Sequence, residues 1–322
     1  MERIILLSKL YDAGRAMLEG KAELVEAYCN DPHEAEDLFD GAAGVFLGNQ
    51  KFGADIIRRH PSLKFLAKQG SGFDNIDTAA ATKAGMPVVI SAGANAQAVA
   101  EHVMLLILAA NRCLYRYETA LRDGNFAVRS SCTSHELLGK TLGLVGLGRI
   151  GRAVEKYALA FGMKTLAYDP WLSPEAAKDT GCALCDSLDA LLEQSDTVSL
   201  HVPLTLETRG MIGAQALARM KPGAVLINCS RGGIVDEDAL YQALTDGHLS
   251  AAGLDVFAQE PASASHPLFT LDNVIATPHC AALTWESAQT MSQKTAEGIL
   301  AVLAGKPWDG VANPEVYTLR AD

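Results

Sequence analysis

Near the middle of the chain an apolar stretch, Thr141-Leu142-Gly143-Leu144-Val145, runs directly into Gly146-Leu147-Gly148-Arg149-Ile150-Gly151. Three glycines spaced Gly-x-Gly-x-x-Gly after such a stretch predict a strand, a tight turn and the first turn of a helix. Gly146 permits the turn, Gly148 lets the backbone approach a pyrophosphate, and Gly151 lets the helix pack closely on the strand. The phosphates would then meet a helix N-terminus, where unpaired N–H groups and the helix dipole favour anions. A second apolar run, Lys164-Thr165-Leu166-Ala167-Tyr168, follows and ends in Asp169, 18 positions after Gly151. A carboxylate at about that distance can hold the 2′-hydroxyl of a dinucleotide's ribose. Pro170 and Trp171 come next rather than an arginine, so these residues favour NAD over NADP.

The same grammar extends along the 322 residues, a length that favours two domains. Short apolar runs at 4–8, 44–48, 63–68, 87–90, 141–145, 165–168, 197–202, 224–228, 251–255 and 274–277 alternate with helical periods. That alternation predicts an α/β fold of parallel sheets covered by helices, its two halves reading as two rounds of the same βα construction. A long helix is expected from about Ala96 to Arg122, because neither glycine nor proline interrupts it before Gly124. A last helix is expected from about Thr284 to Ala304, ahead of Gly305 and Pro307. The expected division is a discontinuous substrate domain, 1–96 plus 289–322, and a cofactor domain, 97–288.

Apolar residues make up 49% and charged residues 20%, values of a folded rather than a disordered chain. A net charge of −11 disfavours binding to nucleic acid phosphates and anionic membranes. The apolar run at the N-terminus is too short for a signal peptide, and Val103–Ala110 is less than half a membrane span. A cytoplasmic location is therefore expected. Seven scattered cysteines form no disulfide framework. Cys182-Ala183-Leu184-Cys185 lacks the second ligand pair that zinc requires, so no metal is expected.

Three later strand-like runs end in ionisable residues of complementary type: Asn228-Cys229-Ser230-Arg231, Asp255-Val256-Phe257-Ala258-Gln259-Glu260, and Thr277-Pro278-His279. Ligands of open α/β sheets bind beyond the carboxyl ends of the strands. Reducing a 2-oxo acid calls for a cation to hold the carboxylate, a proton donor for the carbonyl oxygen, and a group that keeps the donor charged. Arg231 offers a planar donor fork that never loses its proton. His279 can exchange a proton near neutral pH, and a neighbouring Glu260 would favour its charged form.

With these residues in place, the chain resembles the D-isomer-specific 2-hydroxyacid dehydrogenases. The resemblance runs from Gln69-Gly70-Ser71-Gly72-Phe73-Asp74-Asn75-Ile76-Asp77 to Asn313-Pro314-Glu315. It is most specific at Val99-Ala100-Glu101-His102, at 139–151, and around Arg231, Glu260 and His279. It implies two Rossmann-like domains with a cleft between them, an NAD cofactor, a small 2-hydroxy or 2-oxo acid as substrate, and a homodimer. It further implies that Arg231 binds and polarises the substrate, that His279 is the acid/base, and that Glu260 orients and charges it. Arg149 and Ile150 would meet the pyrophosphate, Asp169 the adenine ribose, and Cys229, Ser230 and Asp255 the nicotinamide side. The amides of Gly70, Ser71 and Gly72 would grip the substrate carboxylate.

Two departures stand out. Relatives usually have a glycine shortly after the histidine, where this chain reads Cys280-Ala281-Ala282. Phosphoglycerate-specific relatives often carry an arginine where this chain reads Leu47-Gly48-Asn49-Gln50-Lys51. No regulatory domain of the kind that some of those relatives append is expected. An NAD(H)-sensing corepressor of the same fold is the alternative from another functional class. Formate dehydrogenase, a further rival, uses glutamine where Glu260 stands.

Overall fold

Runs such as Val45-Phe46-Leu47 and Val225-Leu226-Ile227 carry no polar alternation, and they become strands buried on both faces of parallel sheets. The structure, a computed structural model, describes residues 1–131 and 133–318. It divides into two units, Met1–Asn95 with Leu283–Asp322, and Ala96–Ala282.

The first unit holds a five-stranded sheet of β1 (Glu2–Leu6), β2 (Ala22–Glu26), β3 (Gly44–Leu47), β4 (Phe65–Lys68) and β5 (Val88–Ile90), in the order β2-β1-β3-β4-β5. All pairings are parallel. Alternate residues feed two cores, Ile5, Val45, Leu66 and Val88 on one face and Ile4, Phe46, Phe65 and Val89 on the other. The terminal helix Trp285–Leu303 covers the second face with Ala296 and Ile299. It lies so close to the helix Asp12–Leu18 that a Cβ on Gly14 would collide with the carbonyl of Ser292. Gln289 Oε1 and Ser292 Oγ accept the N–H groups of Ala13 and Tyr11, both at 2.8 Å. β2 has no counterpart among the sequence expectations, because Glu23 and Glu26 interrupt its apolar pattern. It is an edge strand, where charge is tolerated and discourages pairing with other chains.

The second unit holds β6 (Thr141–Val145), β7 (Lys164–Tyr168), β8 (Ala183–Leu184), β9 (Thr197–Leu200), β10 (Ala224–Asn228), β11 (Leu249–Leu254) and β12 (Val274–Ala276), a seven-stranded parallel sheet in the order β12-β11-β10-β9-β6-β7-β8. The strand order reverses at β6, whose neighbours are β9 and β7. The glycine loop leaves the carboxyl end of that strand, at the topological switch point where ligands of such sheets bind. β8 was also not anticipated. It lies at the sheet edge between Cys182 and Cys185, which their odd spacing sends to opposite faces of the strand. Burial raises both thiols, Cys182 up to about 12.

The single long helix expected over 96–122 is two helices, Ala96–Asn111 and Leu114–Arg122, bent by 62°. Cys113 breaks the run in the left-handed conformation, φ 50°. The cause is tertiary. Val103, Leu106 and Ile107 of the first helix pack in the core with Val225, Ile227 and Ala251, whereas the second helix buries no residue. Packing rather than propensity supplies most helix stability, so continuity is lost where burial stops. Among the described residues no single helix is long and apolar enough to cross a membrane.

Candidate active site

The glycine loop has the shape its spacing requires. Gly146 sits at φ +95°, and a Cβ there would stand 2.8 Å from the carbonyl oxygen of His201. A Cβ on Gly151 would collide with the Gly146 carbonyl, so the helix Arg149–Ala160 can approach β6 only with glycine at that position. Gly148 is different: a Cβ there would meet nothing within 4 Å, so its backbone faces open space. Gly148 is also the N-cap and offers no side-chain cap, which leaves the first N–H groups of the helix, those of Arg149, Ile150 and Gly151, for an anion. An open backbone beside an uncapped helix start fits a dinucleotide's pyrophosphate. Asp169 Oδ2 accepts the Leu147 N–H at 2.9 Å and Oδ1 accepts the Trp171 N–H at 3.1 Å. The carboxylate thus braces the glycine turn from the end of β7 and keeps further lone pairs. Beneath the loop, burial pushes the His201 imidazole down to about 4, so it is neutral there.

The loop after β10 is held by Asn228. Its side chain accepts from Ser230 N–H at 3.0 Å and Ser230 Oγ at 2.7 Å, and donates to the Arg231 carbonyl at 2.9 Å. This places Cys229, Ser230 and Arg231 in one fixed turn, with Cys229 buried and Arg231 Nη1 donating to the Ser230 carbonyl at 2.7 Å. Gly232 then passes so close to the Phe257 carbonyl that a Cβ would overlap it. The loops after β10 and β11 are thereby pressed together.

Glu260 follows on the second of these loops. Its Oε1 accepts the Phe257 N–H at 3.1 Å, and its Oε2 accepts from His279 Nδ1 at 2.7 Å. Half-burial alone would raise the Glu260 carboxyl. The bond and charge of His279, the Phe257 N–H and the nearby Arg231 outweigh it and hold the group below the ordinary carboxylate range. His279 is a non-glycine residue at φ 51°, a conformation that needs support from its surroundings. The support is visible. Its N–H donates to the carbonyls of Asp255 at 2.8 Å and Thr277 at 3.1 Å. Asp255, 1% exposed, gathers the rest of the loop, accepting from Thr277 Oγ1 at 2.6 Å, Cys280 N–H at 2.9 Å and Ala281 N–H at 2.9 Å. With Nδ1 committed to Glu260, Nε2 is the ring atom able to carry a transferable proton.

In the other unit, Gly70, Ser71 and Gly72 follow β4. Gly70 has φ +133°, a conformation open to glycine. Its N–H donates to Ser91 Oγ at 2.8 Å, while Ser71 Oγ donates to Asn95 Oδ1 at 3.0 Å. Beside this loop Gln50 accepts the Gly48 N–H at 2.7 Å and donates to the carbonyls of Leu7 at 2.9 Å and Cys29 at 2.7 Å. Lys68 donates to the Gly48 carbonyl.

The family model for the D-isomer specific 2-hydroxyacid dehydrogenase, NAD binding domain, matches residues 104–281. D-3-phosphoglycerate dehydrogenase of Methanocaldococcus jannaschii is 41% identical over 314 residues, covering 97% of this chain and 60% of that protein. The chain belongs to this family. Hydroxypyruvate reductase of Thermotoga maritima is 45% identical over 251 residues, covering 77% of this chain and 80% of that protein. The crystal structure of a glyoxylate reductase from Paecilomyes thermophila aligns with a TM-score of 0.86 at 30% identity, covering 97% of this chain and 98% of that one. The chain spans about half to three-fifths of the length of the D-3-phosphoglycerate dehydrogenases it matches.

As a member of this dehydrogenase family, the protein has NAD as its cofactor. Arg231, Glu260 and His279 stand together in its second unit, while Gly70, Ser71 and Gly72 belong to the first. Asn228 and Gly232 hold these loops although the residues alone give them no task, and neither Thr277 nor His102 is tied to the histidine loop by spacing. An asparagine at a strand end and a glycine in the next turn were the available signals for the first pair. Thr277 and His102 gave none, since His102 Nε2 donates to Thr277 Oγ1 at 3.0 Å from a helix distant in sequence.

Proposed function

We propose that the protein moves a hydride between NAD and C2 of a small 2-oxo or 2-hydroxy acid of the D series. The observation that carries this reading is the 2.7 Å contact between His279 Nδ1 and Glu260 Oε2, on a loop pinned beside that of Arg231. Bound NAD supplies or accepts the hydride. The Arg231 guanidinium, charged at all working pH values, binds the substrate carboxylate and draws electron density from the carbonyl. His279 Nε2 gives its proton to the carbonyl oxygen as C2 becomes tetrahedral, and takes it back in oxidation. Glu260 stabilises the imidazolium through Nδ1 and fixes the ring.

Gly146, Gly148 and Gly151 with the amides of Arg149 and Ile150 hold the pyrophosphate, and Asp169 holds the adenine ribose. Cys229 and Ser230 contribute their turn to the nicotinamide side. Asp255 acts there through the loop it gathers, its carboxylate being occupied by Thr277, Cys280 and Ala281. The loop Gly70–Gly72 of the first unit offers backbone amides to an anionic group. The Gly70 N–H is engaged by Ser91, so the amides of Ser71 and Gly72 carry that contact.

A substrate without phosphate is supported by the segment Leu47–Lys51, which has no arginine and is filled by Gln50. The substantial coverage of the glyoxylate and hydroxypyruvate reductases supports it too. A homodimer through the second unit is supported by Leu114, Leu121, Phe126 and Leu138, which stand 54–72% exposed within one segment. The test is NADH and NADPH oxidation against glyoxylate, hydroxypyruvate, pyruvate and phosphohydroxypyruvate. Turnover is expected with NADH and an unphosphorylated acid. Failure with every acid and both cofactors overturns the reading.

A further inference from the structure

Behind the His279 loop lies a cluster of which this chemistry uses only Asp255, as the brace of that loop. His102 on the helix Ala96–Asn111, Asp255 after β11 and Cys280 beside His279 bring an imidazole nitrogen, a carboxylate oxygen and a thiol sulfur within 4.8 Å of one another. We propose that these three residues bind a thiophilic divalent cation of the zinc type, and that occupancy arrests turnover.

The geometry is close to a coordination shell. A tetrahedral zinc ion 2.0–2.3 Å from its ligands sets them roughly 3.3–3.7 Å apart, and His102 Nε2 already stands 3.7 Å from Asp255 Oδ1. Asp255 accepts three side-chain and backbone hydrogen bonds from its own loop. Oδ1 already holds Thr277 Oγ1 and the Cys280 N–H, and Oδ2 holds the Ala281 N–H, so the metal takes the Oδ1 site that Thr277 gives up. Charge balances as well: a divalent cation facing one carboxylate and one thiolate leaves the half-buried site neutral.

On binding, the Cys280 S–H bond breaks, its proton passes to solvent and the sulfur–metal bond forms with no change in oxidation state. His102 passes to the Nδ1–H tautomer, its Nε2 proton leaving to solvent and Nδ1 taking one up, and Nε2 exchanges its hydrogen bond to Thr277 for the metal. Thiolate and imidazole donors select zinc or cadmium over magnesium and calcium, and three protein ligands leave a fourth position for water. None of this could be read from spacing, since the ligands stand at 102, 255 and 280. Turnover stops because the His279 backbone hangs from Asp255 on one side and adjoins Cys280 on the other. This inhibitory arm rests on the function proposed for His279. The binding arm does not.

The experiment titrates the full chain, free of NADH, with Cd²⁺ read by thiolate–cadmium ultraviolet absorption and with Zn²⁺ read by calorimetry. One saturable equivalent is expected. Cys280→Ala should abolish its cadmium–sulfur band, and His102→Gln should weaken binding at least tenfold. Zn²⁺ should inhibit NADH oxidation by the parent, EDTA should restore it, and Cys280→Ala should turn over without zinc sensitivity. Cys280→Ser, which keeps a hydrogen-bonding group but not the soft donor, should behave like the alanine variant and guards against a folding artefact. An undiminished band and stoichiometry in both Cys280 variants, or no saturable binding in the parent, overturns the site. Binding without inhibition overturns the inhibitory arm. A parent without NADH turnover but with the cadmium band retires the function proposed for His279 and leaves the site standing.

Discussion

At the carboxyl ends of β1, β3, β4 and β5 in the first unit, Gln50, Asn75, Ser91 and Ser71 knit the loops together through mostly uncharged hydrogen bonds, with Lys68 as the charged member. At the carboxyl ends of β7, β10, β11 and β12 in the second unit stand Asp169, Arg231, Asp255, Glu260 and His279. The first unit places its strongest charge cluster elsewhere. Glu36, Arg59 and His33 meet on its flank, between the turn Pro32–Leu38 and the helix Ala54–Arg59, and the Arg59 hydrogen bond leads in pulling Glu36 down to about 2. One architecture therefore serves two tasks. Uncharged bonds fix the shape of a loop and its amides, whereas ionised side chains move protons and hold charge. Substitutions in the two sets should consequently fail in different ways.

The largest effect is expected from His279→Ala, which removes the proposed proton donor. A positioned general acid contributes ~10²–10⁴-fold, and kcat should fall by about that much. Steady-state kinetics with NADH and the best 2-oxo acid measure it, and a fully active variant ends the proposed mechanism. Arg231→Lys comes next. The charge is kept but the planar fork is lost, and a charge-assisted hydrogen bond is worth ~1.5–3 kcal/mol, about 10–150-fold in kcat/KM. NADH affinity, read by fluorescence titration, should stay nearly unchanged. Normal turnover would make Arg231 a structural residue.

The cofactor preference should be smaller. The Asp169 carboxylate repels a 2′-phosphate, so NADH should exceed NADPH by at least about tenfold in kcat/KM, about 1.4 kcal/mol. Equal use of the two cofactors would leave Asp169 only its bracing of the Leu147 N–H.

Glu260→Gln tests the pair by pH. Glu260 is held below the ordinary carboxylate range, so the charged pair is complete above the ordinary carboxylate pKa. Its contribution is lost only as pH falls through the lowered value. Glutamine removes the negative charge facing Nδ1. In the reduction direction activity falls as pH rises and the histidine loses its proton, so the variant's basic limb should lie at lower pH than the parent's, with appreciable turnover kept in acid. A kcat/KM profile with an unmoved basic limb breaks the coupling.

The smallest effect on rate, and the sharpest contrast, is expected in the first unit. Gln50→Leu leaves the Gly48 N–H and two carbonyls without their partner, at about 1–3 kcal/mol for a buried unsatisfied group. Thermal melting should register the loss while kcat stays within roughly twofold, the shift falling on substrate KM. A loss in kcat like that of His279→Ala would erase the distinction between the units.

What could be read in the residues alone was whatever depends on near neighbours. The turn at Gly146, the close helix at Gly151 and the acid ending β7 are set by intervals of two, three and eighteen positions, and steric exclusion at a glycine acts over those distances. The buried strands were legible because a run such as Val225-Leu226-Ile227 admits few other placements. Tertiary structure decided the rest. It broke the helix at Cys113 because burial stops at Ala110, and it made strands of Ala22–Glu26 and Ala183–Leu184 because a sheet edge tolerates weak patterns. It brought Glu260 Oε2 within 2.7 Å of His279 Nδ1 and turned Asp255 inward to gather Thr277, Cys280 and Ala281. A hydrogen bond is directional and short, so a partner across strands is fixed only when the strands have packed.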